Sequence, residues 1–190
     1  MQMAPPSSPV SVRLHPATRG FSLLELLTVL AVLGALAVSA APSFASLTRA
    51  HRVEALKNQF IGSLHFARME ALRLGQPVVF RRLEPCGEAV LGAGDWRCGW
   101  RLFADANGNG SLDKDETVLQ ESALPAQTVL RKAGVVNPGS IALDRYGQVT
   151  QAGTRMELFP AGNGFSAADG VLVCLPAGSR VRTVKGATQC

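Results

Sequence analysis

The run GFSLLELLTVLAVLGALAVSAAPSFASLT, from Gly20 to Thr48, carries one charged residue, Glu25. A carboxylate at that depth costs about 2.5–3.5 kcal/mol in hydrocarbon on insertion scales, and a charge kept there usually has a partner. As a helix rising ~1.5 Å per residue, residues 21–47 are long enough to cross a ~30 Å apolar core with some tilt. Upstream, MQMAPPSSPVSVRLHPATRG bears Arg13 and Arg19 but no apolar core of its own. In an ordinary secretory signal the apolar core comes before the cleavage site. Here a cut after Gly20 would leave the anchor on the mature chain. The basic flank favours a cytoplasmic N-terminal side, so everything after Arg49 is expected outside the inner membrane.

Beyond the anchor the helical pattern continues. Val53, Leu56, Phe60, Leu64, Ala67, Ala71 and Leu74 recur at spacings of three and four, which marks one apolar stripe. Arg49, Arg52, Lys57, Gln59, Arg68 and Arg73 fall largely off it, and Gly75 and Pro77 supply a stop. One helix is therefore expected from about Phe21 to Leu74, apolar all round at first and amphipathic later. Its stripe needs a packing partner, and a sheet is the natural one. After Gly75 the sequence breaks into short β-type runs at Pro77–Leu83, Cys98–Ala104, Thr117–Glu121, Thr128–Lys132, Ser140–Leu143, Arg155–Phe159, Val171–Leu175 and Arg180–Val184. The expected fold is α+β, a long N-terminal helix packed on an antiparallel, β-sandwich-like domain. The expected division is a leader at 1–20, a transmembrane helix at 21–48, an amphipathic half-helix at 49–75 and an exported β-rich domain at 76–190.

The chain has 190 residues, a formal charge of +5 and four cysteines. Such a mildly basic balance does not by itself imply nucleic acid. Cys86, Cys98, Cys174 and Cys190 all fall in the exported part, where an even number favours disulfides. Proximity in sequence favours Cys86–Cys98 and Cys174–Cys190, although three pairings are open. No C-x-x-C is present. Enzyme signatures are also missing. His15 lies in the leader, and His51 and His65 lie on the helix as surface residues. No G-x-S-x-G occurs, and Gly92-Ala-Gly94 has no following helix and Lys to cradle a phosphate. Trp96 and Trp100 are expected in the sheet core.

The opening G-F-S-L-L-E-L-L with its apolar helix resembles the class III leader of type IV pilins and type II secretion pseudopilins. The resemblance implies that a prepilin peptidase cuts between Gly20 and Phe21 and methylates the new terminus. It also implies that Glu25 neutralises the α-amino group of a neighbouring Phe21, which offsets two desolvation costs and sets axial register. Pro42 matches a family position where the helix bends. Farther on, ARMEALRLGQPV (Ala67–Val78), DWRCGWRLFADANGNG (Asp95–Gly110) and DETVL (Asp115–Leu119) resemble the GspH/FimT branch. The implied function is that of a structural subunit, not an enzyme, in a type II secretion pseudopilus or type IV pilus. Its partners would be other minor subunits, the major pilin, the prepilin peptidase and the bacterial inner membrane.

Two further motifs could bind ligands. Asp105, Asn107, Asn109, Asp113 and Glu116 occupy positions 1, 3, 5, 9 and 12 of an EF-hand-like loop, an all-oxygen set suited to calcium. The flanks read as strands, so a hairpin tip with Asn-Gly turns accounts for the same residues. Arg180, Arg182 and Lys185 form a basic C-terminal cluster. It is similar to the G-R-x-R pattern of DNA-binding competence pilins, except that Ser179 is inserted after Gly178. The alternative function is therefore DNA uptake. The same charges would also guard an edge strand against aggregation.

Overall fold

The computed structural model describes residues 20–84, 92–133, 137–151, 153–162, 164–176, 178 and 180–190, with backbone only at 38–43. The chain divides into two compact units, one ending at Pro42 and one running from Ser43 to Cys190.

In the first unit, helix α1 (Leu23–Leu74) begins one residue after Ser22. The Ser22 hydroxyl accepts a hydrogen bond from the Glu25 backbone N–H at 3.1 Å, and the Ser22 carbonyl accepts from Leu26 N–H at 3.1 Å. Ser22 is thus the N-cap, satisfying a donor that the first helical turn leaves free. The large apolar side chains from Phe21 to Leu36 are exposed. Among the described residues no helix is long and apolar enough to cross a membrane. The span expected over 21–48 is thus not met by these residues alone, because its side chains at 38–43 lie outside the description.

In the second unit the expected stripe of α1 is the core. Val53, Leu56, Phe60, Leu64, Ala67 and Ala71 are all buried. The helix closes at Gly75, whose φ of 65° is readily adopted without a Cβ and whose N–H reaches Ala71 O at 2.9 Å. Eight strands follow: β1 (Val78–Arg82), β2 (Trp100–Ala104), β3 (Val118–Ser122), β4 (Thr128–Ala133), β5 (Ser140–Leu143), β6 (Thr154–Pro160), β7 (Val171–Leu175) and β8 (Arg182–Lys185). They form two four-stranded antiparallel sheets, ordered β3-β2-β1-β5 and β4-β6-β7-β8. The chain crosses between sheets at β4, back at β5 and again at β6, so both sheets share one core with the helix. Phe60 joins the layers, its ring 5.8 Å from that of Phe80 and 5.5 Å, edge-on, from that of Trp100. Burying a side chain of that size contributes roughly 1.5–3 kcal/mol, so the helix is held chiefly by this stripe. Trp96 and Trp100 lie in the core, and Trp96 Nε1 donates to Pro138 O at 2.8 Å.

The eighth strand starts later than the sequence indicates. Gly178, at φ 98°, bridges to Val149, with Val149 N–H donating to Gly178 O at 3.1 Å. That bridge holds the chain away from β7, and regular pairing resumes only at Cys174↔Arg182.

Candidate functional site

The N-terminal residues of interest lie in the first unit. Gly20 and Phe21 are exposed, and Glu25 stands in the first turn of α1. A negative side chain there is favoured by the helix dipole. Ser22-x-x-Glu25 also has the spacing of a capping box, a local signal absent from the sequence reading above. Glu25 therefore has a helix-starting role as well as any role between subunits. The leader up to Arg19 lies outside the described residues. At Pro42 the backbone is helical, and its side chain lies outside the description.

Cys174 and Cys190 are joined, with Cα atoms 5.8 Å apart. This is one of the three open pairings, and it ties the last residue to β7. Cys98 is disulfide-bonded as well, whereas Cys86 lies outside the described residues.

The Asp105–Glu116 segment brings its five candidate ligands together, but as a loop closed by its own hydrogen bonds. Asp105 is buried, and its two oxygens accept from Asn109 N–H at 3.1 Å and Gly110 N–H at 2.9 Å. One Asp113 oxygen takes the amides of Asn107 (2.7 Å) and Asn109 (2.8 Å). Glu116 accepts from Ala106 N–H (2.9 Å) and Asp113 N–H (3.1 Å). Among the described residues no group of three or more His, Cys, Asp or Glu side chains is placed to hold a metal ion. The loop also has packing work. Arg81 donates to Gly110 O at 3.0 Å, and Leu112 shares a cleft with Phe103 on the face of β2 turned from the helix.

The three residues of the basic cluster, Arg180, Arg182 and Lys185, are all exposed. Arg180 precedes β8, whereas Arg182 and Lys185 are its first and last residues. Lys185 ion-pairs with Glu54 of α1 at 3.0 Å. Hydrogen bonds from Lys57, then from Lys185, hold the Glu54 carboxyl below the usual carboxylate range. Lys185, itself exposed, thus links the edge strand to the helix, and Arg180 and Arg182 are exposed as well. His51 and His65 are exposed on α1.

A family model described as Type II transport protein GspH matches residues 41–189. The chain belongs to the GspH family. The prokaryotic N-terminal methylation motif matches residues 16–41, which include Gly20, Phe21 and Glu25. No protein of curated function matches the sequence. Among solved structures, the fold is similar to the type IV minor pilin FimU of Pseudomonas aeruginosa strain PAO1. The TM-score is 0.56 at 14% identity, covering 74% of this chain and 96% of that one. The solution structure of E. coli GspH gives a TM-score of 0.50 at 14% identity, covering 72% and 90%. At such identity these two speak for the fold, the helix-on-sheets pilin architecture. This GspH-family chain is thus a type II transport protein that carries the N-terminal methylation motif.

Proposed function

We propose that this GspH-family chain is made as a precursor, cut between Gly20 and Phe21 by a prepilin peptidase, and methylated on Phe21. Its apolar segment over 21–48 crosses the bacterial inner membrane once, with the globular unit in the periplasm. It enters a pseudopilus or pilus by lateral packing of that segment against other minor subunits and the major pilin. Glu25 carries the reading. It is the one charge in an apolar run, it falls within the methylation-motif match, and its cost is offset by the freed amine of an adjacent Phe21.

Because Glu25 also serves the helix start, Glu25→Gln is the discriminating change. Glutamine retains the N3 side chain of a capping box and loses the charge. The variant should be cut and methylated normally, as read by mass spectrometry of the N-terminus. Its recovery in the sheared filament fraction should fall by about tenfold, the equivalent of ~1.4 kcal/mol. Equal recovery of Glu25→Gln and wild type would overturn the charge-pairing reading, and an uncut N-terminus in the wild type would overturn the processing.

A further inference from the structure

We infer that the groove on the outer face of β4 and β6 takes an extended, carboxylate-bearing segment of another protein. Side chains alternate across a strand. Leu130, Met156 and Leu158 face the core, which puts Val129, Arg131, Arg155, Glu157 and Phe159 on the opposite face. That face is not flat. Residues 94–96 run along the outer edge of β4, with Lys132 N–H donating to Gly94 O at 2.8 Å and Trp96 N–H to Leu130 O at 2.9 Å. A Cβ on Gly94 would stand 2.3 Å from Lys132 O, so only glycine allows this approach. The added edge raises a wall beside the sheet, and the groove behind it holds about 900 Å³.

The chemistry of the groove is lopsided. Arg97 Nε meets Asp95 at 2.8 Å, Arg131 Nε meets Glu157 at 2.7 Å, and an Arg155 terminal nitrogen meets the other Glu157 oxygen at 3.3 Å. Arg131 and Arg155 therefore share the single carboxylate of Glu157. The remaining cation of the lining, Lys132, points its ammonium to the core side, where it donates to Asn137 O, Ser140 O and Gln151 Oε1. Arg155 Nε is buried and has no hydrogen-bond partner. Beside this donor lies an apolar floor. The Arg131 guanidinium carbon sits 5.5 Å over the Phe159 ring, which packs edge-on against Phe165 at 5.8 Å.

Charge complementarity selects the occupant. One surplus guanidinium matches one carboxylate, which arginine can grip with two parallel hydrogen bonds. The Phe159 floor suits an apolar side chain next to that carboxylate in sequence. A run of phosphates would bring Asp95 and Glu157 against several like charges, which disfavours nucleic acid here. The groove lies wholly within the second unit and does not depend on how the N-terminal helix assembles.

The probe is a fluorescein-labelled hexapeptide, Gly-Ala-Glu-Phe-Val-Gly, and its glutamine analogue, titrated by anisotropy into the full chain in non-ionic detergent. The acidic peptide should bind saturably and about tenfold more tightly than the neutral one. Millimolar inorganic phosphate should not displace it. Arg155→Gln should weaken binding by about tenfold, and Arg182→Gln on β8 should leave it unchanged. Should Arg155→Gln fail to fold, Val129→Glu puts a competing carboxylate on the half-buried rim and should abolish binding. Equal affinity for the two peptides, no saturable binding of either, displacement by phosphate, or full binding by Val129→Glu would each overturn the assignment.

Discussion

Raising the pH should stabilise the wild-type protein relative to Lys132→Met. Lys132 is 4% exposed, and burial lowers the pKa of its ammonium to about 8 from an ordinary 10.5. Between those values the unfolded chain holds a proton that the native state has released. Stability therefore rises with pH across that interval, and the full cost of burying the charge is present below it. At about 1.36 kcal/mol per pH unit, the interval sets a ceiling of about 3.4 kcal/mol, of which about 2.5 falls between pH ~7 and pH ~10. Three neutral acceptors, Asn137 O at 2.7 Å, Ser140 O at 2.6 Å and Gln151 Oε1 at 2.7 Å, favour the ammonium and oppose this gain. About 1–2 kcal/mol is expected. Methionine keeps most of the stem volume and none of the charge, so the pH dependence of the difference isolates this group from others that titrate in the same range. The assay is urea unfolding of the full chain in non-ionic detergent, followed by the fluorescence of the buried Trp96 and Trp100. Parallel curves for the two proteins would refute the argument. A wild type that loses ground as pH rises would reverse it, showing that the fold prefers the charged lysine.

Gly99 adopts φ 104°, and an added Cβ would lie 1.9 Å from Ser122 O. Gly99→Ala should therefore cost about 3 kcal/mol or more and lower Tm by at least ~6 °C, and an unchanged Tm would contradict the geometry. Cys190→Ser opens a loop with a sequence separation of 16 residues. It should cost up to ~3 kcal/mol and raise amide exchange in β8 while leaving β4 and β6 protected; uniform loss of protection would place the effect elsewhere. In the Asp105–Glu116 loop the candidate ligands already accept hydrogen bonds from within it. Chelation with EDTA should accordingly move Tm by less than ~1 °C. A fall of several degrees, restored by calcium, would make the loop a calcium site.

Much of the architecture was legible because it rests on local signals. The stripe from Val53 to Ala71 has helical spacing and nothing else to bury, and Gly75 stops it as the αL conformation requires. The bounds of β5 and β7 follow from short apolar runs between turn residues. The late start of β8 was not legible, because Val149, some thirty residues upstream, captures Gly178 first. The closing of the Asp105–Glu116 loop was hidden for a related reason. Calcium ligation and an internally bonded turn ask for the same Asp, Asn and Gly residues, and the sequence pattern is common to both.

The residues that distinguish this chain are those whose strand phase contradicts their polarity. Along Thr128–Ala133 the inward positions are Thr128, Leu130 and Lys132, so a lysine takes a core place while Val129 faces out. Along Thr154–Pro160 the outward Glu157 is nonetheless 4% exposed, its two oxygens taken by Arg131 and Arg155. Neither placement follows from alternation, since alternation states which residues share a face and not what covers it. Along the edge of β4 runs the segment at 94–96, seated by the pairing of Asp95 with Arg131 across more than thirty residues of chain. That one bridge seats the wall beside Arg131 and Arg155, which share the carboxylate of Glu157. Removing the wall while keeping every groove side chain would test this. Gly94→Ala, forced 2.3 Å from Lys132 O, should expose β4 and raise the exchange of its amides. It should also abolish acidic-peptide binding with the helix stripe still folded, and intact binding would show that the sheet face alone suffices.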